Sequence, residues 1–277
     1  MKRVFRFGVL VMVWGMVFGP SLSQAFNPGT HLYIADKVCP SCGPKSDFYY
    51  GAIAPDLALY VGDQAKWPTS FLDTHYLFMD LRTAARTSSQ QAFAKGWLTH
   101  NEQWGADFYA HGHPPYLPGG YVVQKAKAIA SAYGVDEELA HYLVEVAVDL
   151  LVKKNDDPKI GLKLLNAVLY RSWEDRNLLA NVLVWQNQRT DWLTLTTAEL
   201  TFRNLVGRYA MALSLPSPLD KGAIADLGVQ LAKEMYGLEV SKETLLGWLN
   251  FAMTFCKDDY KAVVEGAIEG IRSKTNW

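Results

Sequence analysis

From Gly119 to the C-terminus, apolar residues recur three and four positions apart. The pattern runs through YVVQKAKAIASAYG, DEELAHYLVEVAVDLLVKK, GLKLLNAVLYRSW, AELTFRNLVGRYAMAL and KETLLGWLNFAMTF. That spacing places one apolar stripe along a helix and leaves the opposite face for water. No alternating run competes, so the chain has nothing from which to build a sheet, and the spacing predicts an all-α, multi-helix fold; residues 26–277 are read as a single domain. Asp136 stands as an N-cap, Lys153 and Lys154 close the same helix, and Ser241 precedes the last long one. Prolines crowd the chain before residue 119, which predicts shorter helices joined by irregular loops there. SLPSPLDKG, residues 214–222, is the clearest later break.

The N-terminus has a different character. Lys2, Arg3 and Arg6 precede an uncharged apolar run from Phe7 to Phe18, then Gly19-Pro20 and Ser23-Gln24-Ala25. This reads as an export signal over residues 1–25, with the mature chain beginning at Phe26 in the periplasm or outside the cell. The run is too short for a comfortable bilayer crossing. Loss of the three basic residues takes the formal charge from −1 to −4, which argues against a broadly basic surface for nucleic acid. With three cysteines, disulfides cannot be the main support of the fold. Cys39 and Cys42 in CPSC can form a local bridge, no strand-helix context supports a redox role for them, and Cys256 reads as a buried thiol.

All six histidines fall between residues 31 and 141. His141 and Glu145 are four apart, so on a helix both side chains leave one face and can converge on one cation. His100, Asp107 and His111 stand at offsets 0, 7 and 11, a narrow polar stripe on an unbroken helix, with Trp97, Leu98, Trp104 and Phe108 supplying apolar surface around it. Nitrogen donors beside carboxylates suit zinc better than calcium or magnesium. His113, in HGHPPYLPGG where prolines end the helix, reads as exposed or outside the ligand set. Trp67, Trp97, Trp104 and Tyr109 read as core before they read as a substrate groove.

In the order of these residues the chain resembles the zinc-dependent phospholipase C family, which shares its fold with the single-strand-specific zinc nucleases. The resemblance covers residues 26–145 and leaves 146–277 as helical scaffold. It implies that Phe26 chelates zinc through its freed amino group and carbonyl, although the family usually begins with tryptophan, and that His31 follows as a ligand. It further implies Asp56, His75, His100, Asp107, His111, His141 and Glu145 as ligands of two or three Zn2+ ions, with Asp56 also catalytic. One departure stands out. The family places its bridging aspartate one turn after the first helical histidine, where this chain has Trp104. Asp107 lies about 10 Å from His100 along an ideal helix, so sharing a metal requires a distortion, for which Gly105 gives scope. The activity implied is hydrolysis of phospholipids by metal-activated water, with transient contact to a membrane surface and no obligate protein partner. The alternatives are a zinc nuclease acting on nucleic acid and a non-catalytic zinc-binding protein.

Overall fold

The computed structural model describes residues 26–113 and 119–277. The export signal expected over 1–25 lies outside the described residues, as do Pro114 and Pro115. Twelve α-helices run through the described residues without a strand. The first half has α1 (Pro28–Val38), α2 (Lys45–Ile53), α3 (Ser88–Leu98) and α4 (Ala106–His111). Short 3-10 turns at Ala54–Tyr60, Gln64–Lys66 and Leu81–Thr83 and a wider π-turn at Leu72–Tyr76 separate α2 from α3. The second half is more regular: α5 (Gly120–Tyr133), α6 (Glu137–Asn155), α7 (Ile160–Tyr170), α8 (Glu174–Leu179), α9 (Trp192–Ser214), α10 (Leu219–Tyr236), α11 (Lys242–Cys256) and α12 (Tyr260–Lys274). The all-α expectation holds, and so does the division into short early and long late helices. Among the described residues no helix is long and apolar enough to cross a membrane.

The expected caps are in place. The Asp136 carboxylate accepts from the Glu138 amide, Lys153 and Lys154 occupy the last turn of α6, and Ser241 Oγ accepts from the Thr244 amide. Ser241 does not open the last long helix, however. α12 follows it, with Val263, Val264, Ala267, Ile268 and Ile271 buried along one face. α6 is the central element, packed against α1, α5 and α11 and buried along most of its length. Trp67 and Trp97 lie fully inside, as expected of core residues.

Two glycines set the position of the helix that leads into the histidine-rich segment. A Cβ on Gly51 would run into the Phe93 carbonyl, and one on Gly96 into the Phe48 carbonyl. α2 and α3 therefore meet backbone to backbone. Cys39 and Cys42 are joined in a disulfide between α1 and α2, and Cys256 is buried, which pushes its thiol up to about 11.

Asp36 ties α1 to two other helices. Its carboxylate accepts from Lys45 Nζ at 3.0 Å and Tyr49 Oη at 2.6 Å on α2, and from Lys163 Nζ at 2.8 Å on α7. Burial alone would push this carboxyl up, but the hydrogen bonds from Lys163, Tyr49 and Lys45 outweigh it and hold the group at about 2. A folded-state value below the unfolded one stabilises the protein above the unfolded pKa and is lost as pH falls through the folded one. Because the group is partly solvated, the contribution is roughly 1 kcal/mol. Asp36→Asn should therefore be less stable than the parent by about that much at pH 6, with the gap closing as pH drops below 4 towards 2. Urea denaturation of both proteins in chelator across this range measures it, and a gap independent of pH would show that the tie is not ionic.

Candidate metal centre

The segment carrying His100, Asp107 and His111 is not one helix. Asn101 stops α3: its side-chain carbonyl accepts from the Gln103 amide at 2.9 Å and the Trp104 amide at 3.0 Å, while its Nδ2 donates to the Leu98 carbonyl at 2.8 Å. Asparagine competing for backbone partners in this way ends helices. The chain turns through Gly105 and restarts at Ala106, with the Asp107 amide donating to the His100 carbonyl at 2.9 Å. The stripe expected on an unbroken helix is thus replaced by a fold-back. Asp107 Oδ2 lies 3.2 Å from His100 Nε2 instead of two turns away.

Four side chains, His31, Asp56, His75 and His100, converge around Asp107. Its Oδ1 faces His31 Nε2 at 3.3 Å, and its Oδ2 also faces His75 Nε2 at 3.7 Å. Asp56 Oδ1 sits 3.4 Å from both His75 Nε2 and His100 Nε2. Each of these side chains is placed by its own local structure. His31 is on α1, its ring stacked on His100 at 4.0 Å. Asp56 follows Pro55 in the 3-10 turn after α2, so the loop expected there is a short helix. His75 lies in the π-turn, braced by Phe71 stacked at 3.9 Å. Asp73, which accepts from Trp67 Nε1 at 2.9 Å, fixes the same turn.

The outer nitrogens of the rings show which tautomer each adopts. His100 Nδ1 meets the Ala52 carbonyl at 2.8 Å, and a carbonyl can only accept, so Nδ1 carries the proton and the neutral ring turns an Nε2 lone pair inward. Thr74 Oγ1 donates to the Ser70 carbonyl and so accepts from His75 Nδ1 at 2.7 Å, with the same outcome. Lone pairs on the imidazoles then face lone pairs on the carboxylates. Asp107 Oδ1 and Oδ2, His100 Nε2 and both nitrogens of His31 are buried without a hydrogen-bond partner among the described residues. Buried carboxylate charge without a partner is costly, and a cation among these atoms removes the cost.

Two trios, His31 with His100 and Asp107, and Asp56 with His75 and His100, bring one ligand atom each within 4.8 Å of one another. These buried groups could hold a metal ion. Burial, helped by His100, holds His31 well below its usual value and so neutral, as a ligand must be. Burial pushes Asp107 up. Burial also acts on Asp56 and His100, but Asp56 is held well below the carboxylate range by His100 and His75, and His100 well above its usual value by Asp107 and Asp56. Without a cation, a proton on His100 Nε2 takes the place of that lone pair and balances Asp56, and metal binding has to displace it.

A second group lies closer to solvent. His141 Nε2 is 2.9 Å from Glu145 Oε1 across one turn of α6, and the His141 and His111 rings are 5.4 Å apart. Glu145 is fully buried, which pushes its carboxyl up, and it feels the charge of Asp56 in the first group. Phe26 is buried with its ring edge-on to His31 at 6.1 Å. His113 is only partly exposed and takes no part in either group: it stacks on Tyr109 at 4.3 Å.

Glu102 is the residue that the ligand order did not reveal. It accepts from His111 Nδ1 at 2.7 Å, which fixes the orientation of that ring, and its amide donates to the His75 carbonyl at 2.9 Å. Carboxylates that orient a ligating imidazole tune its affinity. Glu102→Ala should weaken one metal equivalent by about 10- to 100-fold and leave the others in place, measured by competition with a chromogenic chelator. Uniform weakening of every equivalent would remove Glu102 from this role.

No protein-family model, curated protein or solved structure matches this chain.

Proposed function

We propose that the protein is an exported zinc-dependent phosphodiesterase that hydrolyses phospholipids in the manner of a phospholipase C. The observation that carries the reading is Asp107, whose two oxygens face different imidazoles, His31 on one side and His75 with His100 on the other. A carboxylate so placed suits a bridge between two cations. The donor set favours zinc, since imidazole nitrogens predominate and carboxylates complete the shell. Two or three ions match the inner cluster together with the group of His111, His141 and Glu145. When bound, zinc supplies Lewis-acid stabilisation of charge on a phosphoryl group and activates water near neutral pH.

The chain's own residues supply the rest. Asp56 stays ionised because the imidazoles of His100 and His75 hold its proton affinity down, so it can accept a hydrogen bond from an attacking water and orient it. It also lines an open cleft, where substrate can reach it. His31, Asp56, His75, His100 and Asp107 are all buried, which keeps bulk water from the inner cluster and strengthens electrostatic interactions within it.

The test is a paired assay of the zinc-loaded protein beginning at Phe26 on phosphatidylcholine vesicles and on single-stranded DNA. Release of phosphocholine is the expected result. Cleavage of DNA alone would make the protein a nuclease, and cleavage of neither would leave a zinc-binding protein without catalysis.

A further inference from the structure

Between α6, α9 and α10 a cleft of about 180 Å³ reaches Asp56 of the buried histidine-aspartate cluster. Asn27 and Asp56 form its inner end, and Leu139, Val146, Val206 and Leu227 are among its walls. At the other end, Tyr60, Leu205 and Leu231 also line a shallower bowl of about 510 Å³ that reaches the exposed Leu200. The two spaces therefore adjoin, with these three side chains as common wall. At the inner end of the cleft Asn27 is more than nine-tenths buried, and its Nδ2 donates to no group among the described residues. A buried amide donor left unmade is costly unless a ligand completes it.

We infer that this cleft holds the start of a hydrocarbon chain of the substrate, with Asn27 Nδ2 donating to an oxygen of the polar head at the cluster. The inference rests on the phosphodiesterase reading and narrows its substrate to amphiphiles. An apolar cavity of roughly 150 Å³ takes a benzene ring, so this one accommodates about six chain carbons and the adjoining bowl is open to the remainder. A sugar-phosphate backbone fits poorly, because walls built mostly of aliphatic side chains and Phe202 cannot replace the hydrogen bonds to water that its charged and hydroxyl groups would lose.

Non-hydrolysable alkylphosphonates test this without turnover. Calorimetric titration of the zinc-loaded protein compares hexylphosphonate with methylphosphonate. Each buried methylene contributes about fourfold in affinity, so hexylphosphonate should bind at least about 50-fold tighter even with partial burial of its chain. Leu227→Trp on α10 fills the cleft and should cut that ratio below about fivefold. Leu205→Trp, on the opposing wall, repeats the test if the first variant does not fold. Asn27→Ala should weaken both phosphonates alike, and unchanged affinity for both would remove Asn27 from the inference. A wild-type ratio near one, a ratio unaltered in folded cleft variants, or no binding of hexylphosphonate overturns the chain site. If the tail effect appears while neither phosphatidylcholine nor DNA is cleaved, the hydrolase reading fails and the cleft stands. If phosphatidylcholine is cleaved with no tail effect, the reverse holds.

Discussion

Asp107→Asn is expected to lower zinc content and to cut turnover by two orders of magnitude or more, roughly 3 kcal/mol of transition-state stabilisation. The same variant should leave the chelator-treated protein at least as stable as the parent. The two effects have opposite signs for one reason. Without a cation, Asp107 is a fully buried carboxylate that burial pushes towards its neutral form, and both its oxygens lack hydrogen bonds. An isosteric neutral amide removes that cost. With cations bound, the charge between His31 on one side and His75 and His100 on the other becomes the favourable interaction, and its loss weakens the sites on both sides. Zinc at 100 times its dissociation constant should stabilise the parent by about 2.7 kcal/mol, and the variant by much less. Thermal unfolding with zinc and with chelator reads both halves. Wild-type zinc content and kinetics in Asp107→Asn would move the bridging role elsewhere. Strong destabilisation of the chelator-treated variant would make Asp107 a structural residue.

The fate of Asp107 shows what the sequence made legible. His141 and Glu145 sit on an intact helix, so their spacing translated directly into a shared face, and their contact at 2.9 Å follows from it. Offsets counted from His100 to Asp107 and His111 assumed the same geometry across Asn101 and Gly105, where the backbone folds back. The order of these residues along the chain does not depend on helix geometry, whereas the distances did. Asn101 was the available signal, a helix-breaking side chain that captures the next amides. Glu102 was hidden for the same reason, since its reach to His111 exists only after the turn. α12 was visible in principle from Tyr260, Val263, Val264, Ala267, Ile268 and Ile271. The helix after SLPSPLDKG carries only a weak apolar stripe, with much of its surface facing the cleft or solvent. Asp149 stands one turn beyond Glu145 on the same face of α6. It accepts from the amides of Gly29 and Thr30, from Thr30 Oγ1 and from Tyr209 Oη, a role that depends on which helix end lies opposite and so cannot be read from local spacing.

That anchor bears on the N-terminus. A Gly-Ser extension ahead of Phe26 is expected to remove about one zinc equivalent and most of the hydrolytic rate, while the helical fold remains intact. A free α-amine with an intrinsic pKa near 8 yields its proton readily to a coordinating metal, and with the adjacent carbonyl it forms a five-membered chelate. An extension converts the amine into an amide whose lone pair is delocalised and unavailable. α1 cannot slide to compensate, because Asp149 holds its first turn at Gly29 and Thr30, and His31, one residue further on, is committed to Asp107 at 3.3 Å. Phe26 itself is fully buried, so a tryptophan there, although it keeps the backbone donors, would overpack the site at a cost of about 1–3 kcal/mol. Phe26→Leu is the better control: it retains amine and carbonyl, fits the space, and should keep its zinc. The measurement compares zinc stoichiometry, rate and circular dichroism for the protein cleaved after Ala25, the extended form and Phe26→Leu. Equal zinc and equal rates in the cleaved and extended forms would refute chelation by the N-terminus. Loss of zinc in Phe26→Leu to the same degree as in the extended form would assign the effect to packing of the ring against His31.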